Sequence, residues 1–279
     1  MPMSIDDIEP RQAAGAESEV LLVERDGGIA TLTLNRPKAR NALSEDLLDA
    51  LSHALLRVEA HRDVSVVVLA GAPPAFCAGH DLREMNEARN SLDRGRAAFE
   101  RLFTKCSNVM QQIVHLRQPV IAAVDGIATA AGCQLVASCD MAVAGDQARF
   151  ATPGVNIGLF CSTPMVALTR NVPRKHAMEM LLTGEMVGAE KAERLGLVNR
   201  VVPSGTALAA ATDLARQVAA KSPLVLRIGK EAFYEQLEMP LSEAYRHTAR
   251  VMTENMLARD AEEGIGAFIE KREARWTGE

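Results

Sequence analysis

Two short stretches of small residues stand out as places where the main chain itself could do chemistry. The first is Phe76-Cys77-Ala78-Gly79-His80-Asp81-Leu82 and the second is Gly126-Ile127-Ala128-Thr129-Ala130-Ala131-Gly132-Cys133-Gln134. Each follows a strand-like run, and the lack of bulk lets a ligand approach the backbone. One free N–H from each stretch, one of them at a helix N-terminus where the peptide dipoles add, could together hold a developing oxyanion. That geometry suits a thioester carbonyl. The same runs also read as close packing of helices on a sheet, and spacing alone does not choose between the two.

Side-chain chemistry is less prominent. Cys133 and Cys161 could act as nucleophiles, yet no cation nearby in sequence would lower their pKa, and small cysteines among apolar neighbours also read as inert packing. The five cysteines are odd in number and contain no C-x-x-C pair, which predicts a reducing compartment and a cytoplasmic protein. His53, His61, His115, His176 and His247 lie on or beside helical stretches without metal-ligand spacing, so no metal is expected. With 31 basic against 36 acidic residues, the net charge of −5 has the wrong sign for a general binder of nucleic acid. Seven Phe, two Tyr and one Trp are too few for base-stacking platforms. No run is long and apolar enough to suggest a membrane span.

The elements that must position those stretches read as an α/β pattern. Val20–Arg25 and Ile29–Leu34 are β-rich and separated by Asp26-Gly27-Gly28, whose two glycines are expected to supply the positive φ of a hairpin turn. Ser44 can cap a helix with Glu45 and Asp46 in its first turn and apolar Leu47, Leu48, Leu51, Leu55 and Val58 on one face. Val64–Ala70 and Pro119–Val124 are near-continuous apolar runs, as strands buried on both faces require. Gly71–Asp81 reads as a loop, Arg96–Leu116 as a long helix, Ala131–Ser138 as a short one, Asp140–Ala144 as a strand, and Leu197–Val202 as a final β segment. From Thr206 onward the pattern is helical throughout. The expected organisation is an acidic disordered tail over 1–19, an α/β core over 20–205, and a helical region over 206–279.

Beyond these patterns, the chain resembles the crotonase superfamily of enoyl-CoA hydratases and isomerases from about Val20 to Trp276. The resemblance is carried by Leu34-Asn35-Arg36-Pro37-Lys38-Ala39-Arg40-Asn41-Ala42-Leu43, by Ala75–Leu82, by Pro119–Gly126, by Leu182-Thr183-Gly184 and Ala192–Val198, and by Gly264–Arg272. The stretches Gly132–Asp140 and Phe150–Pro164 look most like one subgroup of hydratase-domain proteins that has no well-defined reaction. The resemblance implies a spiral of ββα units with a helical C-terminal trimerisation region, assembled as a homotrimer or a hexamer made as a dimer of trimers. It implies a lyase or isomerase of acyl-CoA thioesters with no separate cofactor, coenzyme A being part of the substrate. By position, the carbonyl would lie between the backbone N–H groups of His80 and Ala131. The CoA phosphates and adenine would meet Lys38, Ala39, Arg40, Ala42, Ala78, Asp81 and Leu82, with Phe268 and Lys271 arriving from a neighbouring subunit. Lys38 and Arg40 also fit by charge.

One departure bears on the reaction. Hydratases of this superfamily use two glutamates, one toward water and one as acid; here Gln134 and Gly154 stand at the matching positions. Neither an amide nor a hydrogen exchanges a proton near neutral pH, so hydration is expected to be weak or lost. Three readings remain open. Other groups in the acyl pocket, among them Gln134, Asn156, Cys161, Ser162 and the His80 ring, could support turnover. The oxyanion hole alone could serve decarboxylation of a malonyl-type ester. Or the chain could be a non-catalytic acyl-CoA binder or interaction protein.

Overall fold

A computed structural model of the chain describes residues 20–279, so the tail expected over 1–19 lies outside the described residues. The main sheet has six strands in the order β1-β2-β3-β4-β6-β9, namely β1 Leu21–Asp26, β2 Ile29–Leu34, β3 Val66–Gly71, β4 Val120–Val124, β6 Met141–Gly145 and β9 Arg200–Val202. Only the opening hairpin is antiparallel; every later neighbour is parallel. A second sheet, not expected from the sequence, joins β5 Ile127–Thr129, β7 Arg149–Ala151 and β8 Val187–Gly188. Strands of two or three residues are too short to show a period of two, which is why they escaped the pattern.

Helix α1 (Glu45–Ala60) begins where Ser44 was expected to cap it, the Ser44 Oγ accepting from Leu47 N at 3.2 Å. Its apolar stripe packs on the sheet with α3 (Arg96–His115) and α4 (Ala131–Ser138), and every residue of α4 is buried. The opposite sheet face is covered by α8 (Ala207–Ala219), whose Ala211, Leu214 and Ala215 lie against Val66, Val68, Ile121 and Val143. Thus α8, placed on sequence in the C-terminal helical region, packs on the core sheet. Between α4 and α8 come α5 (Pro164–Asn171), α6 (Arg174–Thr183) and α7 (Ala189–Arg194), and after α8 come α9 (Pro223–Leu237), α10 (Leu241–Met256) and α11 (Arg259–Glu270).

Several local expectations need correction. Gly27 alone has a positive φ in the first turn, at +56°, because one left-handed residue suffices to close this two-residue loop. The expected loop Gly71–Asp81 bridges to neighbouring segments at Cys77 and His80, and an unexpected helix, α2 (Leu82–Ala88), follows it under an Asp81 cap. The β segment expected over Leu197–Val202 begins at Arg200, since Leu197 and Val198 turn into the core instead. No described helix is long and apolar enough to cross a membrane.

Candidate functional site

The two small-residue stretches meet. Thr129 N donates to Cys77 O at 2.9 Å and Cys77 N to Ile127 O at 3.0 Å, so the loop before His80 runs beside β5 as an added strand. On its other side Leu43 N donates to Gly79 O at 2.7 Å and Asp81 N to Leu43 O at 3.1 Å. A side chain at Gly132 would place its Cβ 2.1 Å from the Cys77 carbonyl oxygen, and one at Gly79 would come within 3.0 Å of both Thr129 O and the Ala130 Cβ. Glycine at 79 and 132 is therefore the condition for the approach of the two stretches.

The bonds that pin these loops leave two donors unused: neither the His80 N–H nor the Ala131 N–H has a hydrogen-bond acceptor among the described residues. Ala131 is the first residue of α4, where the N–H has no partner inside the helix and the peptide dipoles point their positive end. The residue before it, Ala130, is held at φ +51° and ψ −117°, a conformation L residues rarely adopt. It stays there because its N–H donates to Ala151 O at 2.9 Å while its carbonyl accepts from Gln134 N at 3.0 Å.

Around the two donors lie the side chains singled out from sequence. The His80 ring nitrogens are enclosed without a partner, and the ring meets Phe103 edge-on at 5.6 Å between centroids. Burial pushes the His80 imidazole down to about 4, opposed by the nearby Leu43 carbonyl although the ring lies outside hydrogen-bond geometry with it, so the ring is neutral near pH 7. Gln134 is buried with its Oε1 unpartnered. Gly154 is not an empty slot: a Cβ there would lie 2.8 Å from Leu159 O and 2.9 Å from Cys161 Sγ. Burial raises the Cys161 thiol and lifts Cys133 to about 12, so both remain protonated near neutral pH and neither is an activated nucleophile. Asn156 and Ser162 are exposed, and the Asn156 amide lies beside the turn at Gly184.

The loop expected to meet phosphates is held rigidly from beneath. A 3-10 turn over Pro37–Ala39 leads into Arg40 and Asn41, both left-handed at φ 51° and 54°. Asn41 is fully buried; its Nδ2 donates to Ala72 O at 2.8 Å and Ala75 O at 2.6 Å, and its Oδ1 accepts from Arg36 N at 2.8 Å. Arg36 in turn reaches Ala42 O at 2.5 Å and Asp81 Oδ2 at 2.9 Å. Burial would raise the Asp81 carboxyl, but the Arg36 guanidinium and backbone donors outweigh it and hold it below the ordinary range. That carboxylate is thus committed to Arg36 and to capping α2, while the Asp81 N–H donates to Leu43 O and its carbonyl accepts from Met85 N. Lys38, Arg40 and Leu82 are exposed, while Ala39 and Ala78 are half-buried and Ala42 is buried. Phe268 projects from α11 at 85% exposure, and Lys271 ends that helix in a left-handed turn.

Three residues were missed on sequence. Asn41 and Arg36 organise the loop, and an asparagine beside two cations before a capped helix was the available signal. Thr152, fully buried with its Oγ1 unpartnered, follows β7 directly and left no signal of its own. A large open cleft of about 1080 Å³ lies elsewhere, between α11 and the C-terminal segment; its Arg272 is paired with Glu263 and Glu270. Among the described residues no group of three or more His, Cys, Asp or Glu gathers as metal ligands would.

Residues 24–279 match the enoyl-CoA hydratase/isomerase family. Enoyl-CoA hydratase domain-containing protein 3, mitochondrial, of Rattus norvegicus is 45% identical over 99% of this chain and 92% of its own length. The Homo sapiens protein of that name is 46% identical over 90% of this chain and 82% of its own. Among solved structures, an enoyl-CoA hydratase of Mycobacterium smegmatis is 50% identical, with a TM-score of 0.89, covering 93% of this chain and 99% of that one. Human enoyl-CoA hydratase domain-containing protein 3 is 44% identical, with a TM-score of 0.88, covering 92% and 100%. These neighbours bear out the expected fold class and the resemblance noted on sequence. They overturn the cytoplasmic expectation, because the hydratase-domain relatives are named as mitochondrial proteins; a reduced thiol content does not distinguish the two compartments.

Proposed function

The chain belongs to the enoyl-CoA hydratase/isomerase family, and from that premise we propose that it binds an acyl-CoA thioester and polarises the thioester carbonyl between the N–H groups of His80 and Ala131. One observation carries this reading: two adjacent backbone donors without acceptors, one of them at the start of a buried helix. Fixed donors aimed at a developing oxyanion stabilise an enolate far more than solvent does, because they need no reorganisation. Lys38 and Arg40 face solvent and supply charge for the CoA phosphates, with the backbone of Ala39, Ala42, Ala78, Asp81 and Leu82 lining the nucleotide. Phe268 and Lys271 would complete that end from a second copy in a homotrimer or a dimer of trimers.

The same site lacks acid and base. Gln134 and Gly154 offer no exchangeable proton, both nearby thiols are held protonated, and His80 is neutral. The activity that follows is carbonyl polarisation with hydration slow or absent. The test is a binding titration with crotonyl-CoA beside an assay of its hydration, on the wild type and on Gln134→Glu. Expected are binding by both proteins, wild-type hydration well below roughly one per second, and a gain in the variant. Wild-type hydration at roughly one per second or faster would overturn the argument from the missing carboxylates, and absence of binding would overturn the reading itself.

A further inference from the structure

An ammonium sealed inside a protein is costly unless its protons find acceptors, and a buried ion pair seldom stabilises more than the apolar side chains that could replace it. Lys230 on α9 is such a group, its side chain only 6% exposed. Its Nζ donates to Ile113 O at 2.9 Å, to Gln118 O at 3.1 Å and to Asp140 Oδ2 at 2.7 Å, three acceptors that use all three protons of the charged form. One turn along α9, Tyr234 OH donates to Asp140 Oδ1 at 2.9 Å. Asp140 is also clasped by β4: its N–H donates to Val120 O at 3.0 Å, and its Oδ2 accepts from Val120 N at 2.6 Å. This carboxylate therefore gathers α9 and the start of β4 at one point, and Lys230 adds the end of α3. That point lies just beyond Ser138 and Cys139, where α4 ends. Apolar packing would hold α9 against the core without direction, whereas these bonds fix its position both along and about its axis.

We infer that Lys230 and Tyr234 are positioning residues for the carbonyl-polarising site: through Asp140 they fix the C-terminal end of α4, and so hold the Ala131 N–H at its opposite end in place. The inference rests on the acyl-CoA reading and adds what that site depends on. Helix α4 has eight residues, a length of about 12 Å, and is wholly buried, so it shifts as one rigid piece. At its N-terminal end Ala130 is held at φ +51°, a conformation that persists only where the surroundings over-determine it. Relaxation of that residue would carry Ala131 with it, and an anchor at the far end denies the helix the slide this needs. Asn171 Nδ2, donating to the Ala137 carbonyl at 2.8 Å, adds a hold from α5 at the same end. The Asp140 hold comes from α9, whose Phe233 and Leu237 are exposed. How the C-terminal helices are seated therefore reaches the oxyanion donor.

A conjugated thioester reports its own polarisation, because drawing electron density onto the carbonyl oxygen moves its absorbance to longer wavelength. The test saturates the wild type, Lys230→Met and Tyr234→Phe with 2,4-hexadienoyl-CoA, reads the absorbance shift of the bound ester well below each thermal midpoint, and records that midpoint. Reading at saturation makes the shift independent of affinity. The wild type is expected to shift the ester to the red, Lys230→Met to lose about half or more of that shift, and Tyr234→Phe to lose a smaller part. A purely structural role would lower the midpoint and leave the full shift in the folded protein. An unchanged shift in either folded variant therefore overturns the inference while the acyl-CoA reading stands. Absence of binding, or of any shift on the saturated wild type, overturns that reading and the inference with it. Tyr234→Phe removes one oxygen and keeps the ring, so it decides the matter even where Lys230→Met fails to fold.

Discussion

The neighbourhood of α4 and the C-terminal helices are unfinished in opposite ways. Within α4 every residue is buried, and what lacks a partner beside it is polar: a ring, an amide and a hydroxyl. On α9, α10 and α11 much of what lacks cover is apolar, with Leu237, Leu241, Tyr245, Met252, Met256, Phe268 and Ile269 all more than half exposed. The charges nearby are well placed: the buried Asp260 carboxylate accepts from Ser222 Oγ, from Thr277 N and Oγ1, and from Gly278 N. What is missing identifies what would supply it. A few enclosed polar atoms are completed by a small ligand, whereas a broad apolar surface is completed by another protein surface. In the function proposed above that surface is a second copy of the chain.

The sharpest way to break the contrast is at Gly132, where a Cβ would collide with the Cys77 carbonyl. Gly132→Ala is expected to cost about 4 kcal/mol or more, read as a loss of denaturant midpoint, because both sides of the contact are backbone. Next comes acid. The His80 imidazole sits at about 4 in the folded protein against 6.5 as its ordinary value, so between those pH values the unfolded chain binds more protons. Stability is therefore expected to fall by about 3 kcal/mol on acidification through that window, and His80→Phe should flatten this part of a pH-stability profile.

On the C-terminal side, Asp260→Asn removes charge from a carboxylate with four donors and should lower stability by about 1–3 kcal/mol in thermal unfolding. Leu241→Glu together with Met252→Glu should change the folded chain little and shift its mass in sedimentation toward the monomer; unchanged mass would remove the second copy from the comparison. The smallest effect is expected at the solvent-facing end of the site. Lys38→Ala and Arg40→Ala should each weaken CoA binding by about fivefold or less, and the loss should shrink as salt rises.

What could be read from the sequence was whatever repeats or caps. Ser44 with Glu45 and Asp46 announced α1, and the unbroken apolar runs announced β3 and β4, because a strand buried on both faces needs no alternation. The meeting of the two small-residue stretches was suggested by composition, but the unused donors at His80 and Ala131 depend on bonds that join β5 to the Cys77 loop, Ala130 to β7 and the Leu43 segment to Gly79 and Asp81, pairings between segments far apart in sequence. Thr152 was invisible for the same reason: its burial is set by strand pairing between β5 and β7, each only three residues long. Leu237, Leu241, Tyr245, Met252 and Met256 read equally as core or as interface, since helical periodicity marks a stripe without saying what lies against it. Lys230, too, gave no hint that it would reach across to Asp140 at 2.7 Å and tie α9 to the start of β4.

The packing at Gly154 sets how an acid could be placed there. With the Leu159 carbonyl and the Cys161 thiol occupying the volume a side chain would need, a single replacement of Gly154 by glutamate meets a closed door. The segment from Leu159 to Cys161 would have to withdraw first, a change with no benefit of its own until the acid arrives. The two sites are coupled so that their order matters. A carboxylate at this position is therefore more than one substitution away.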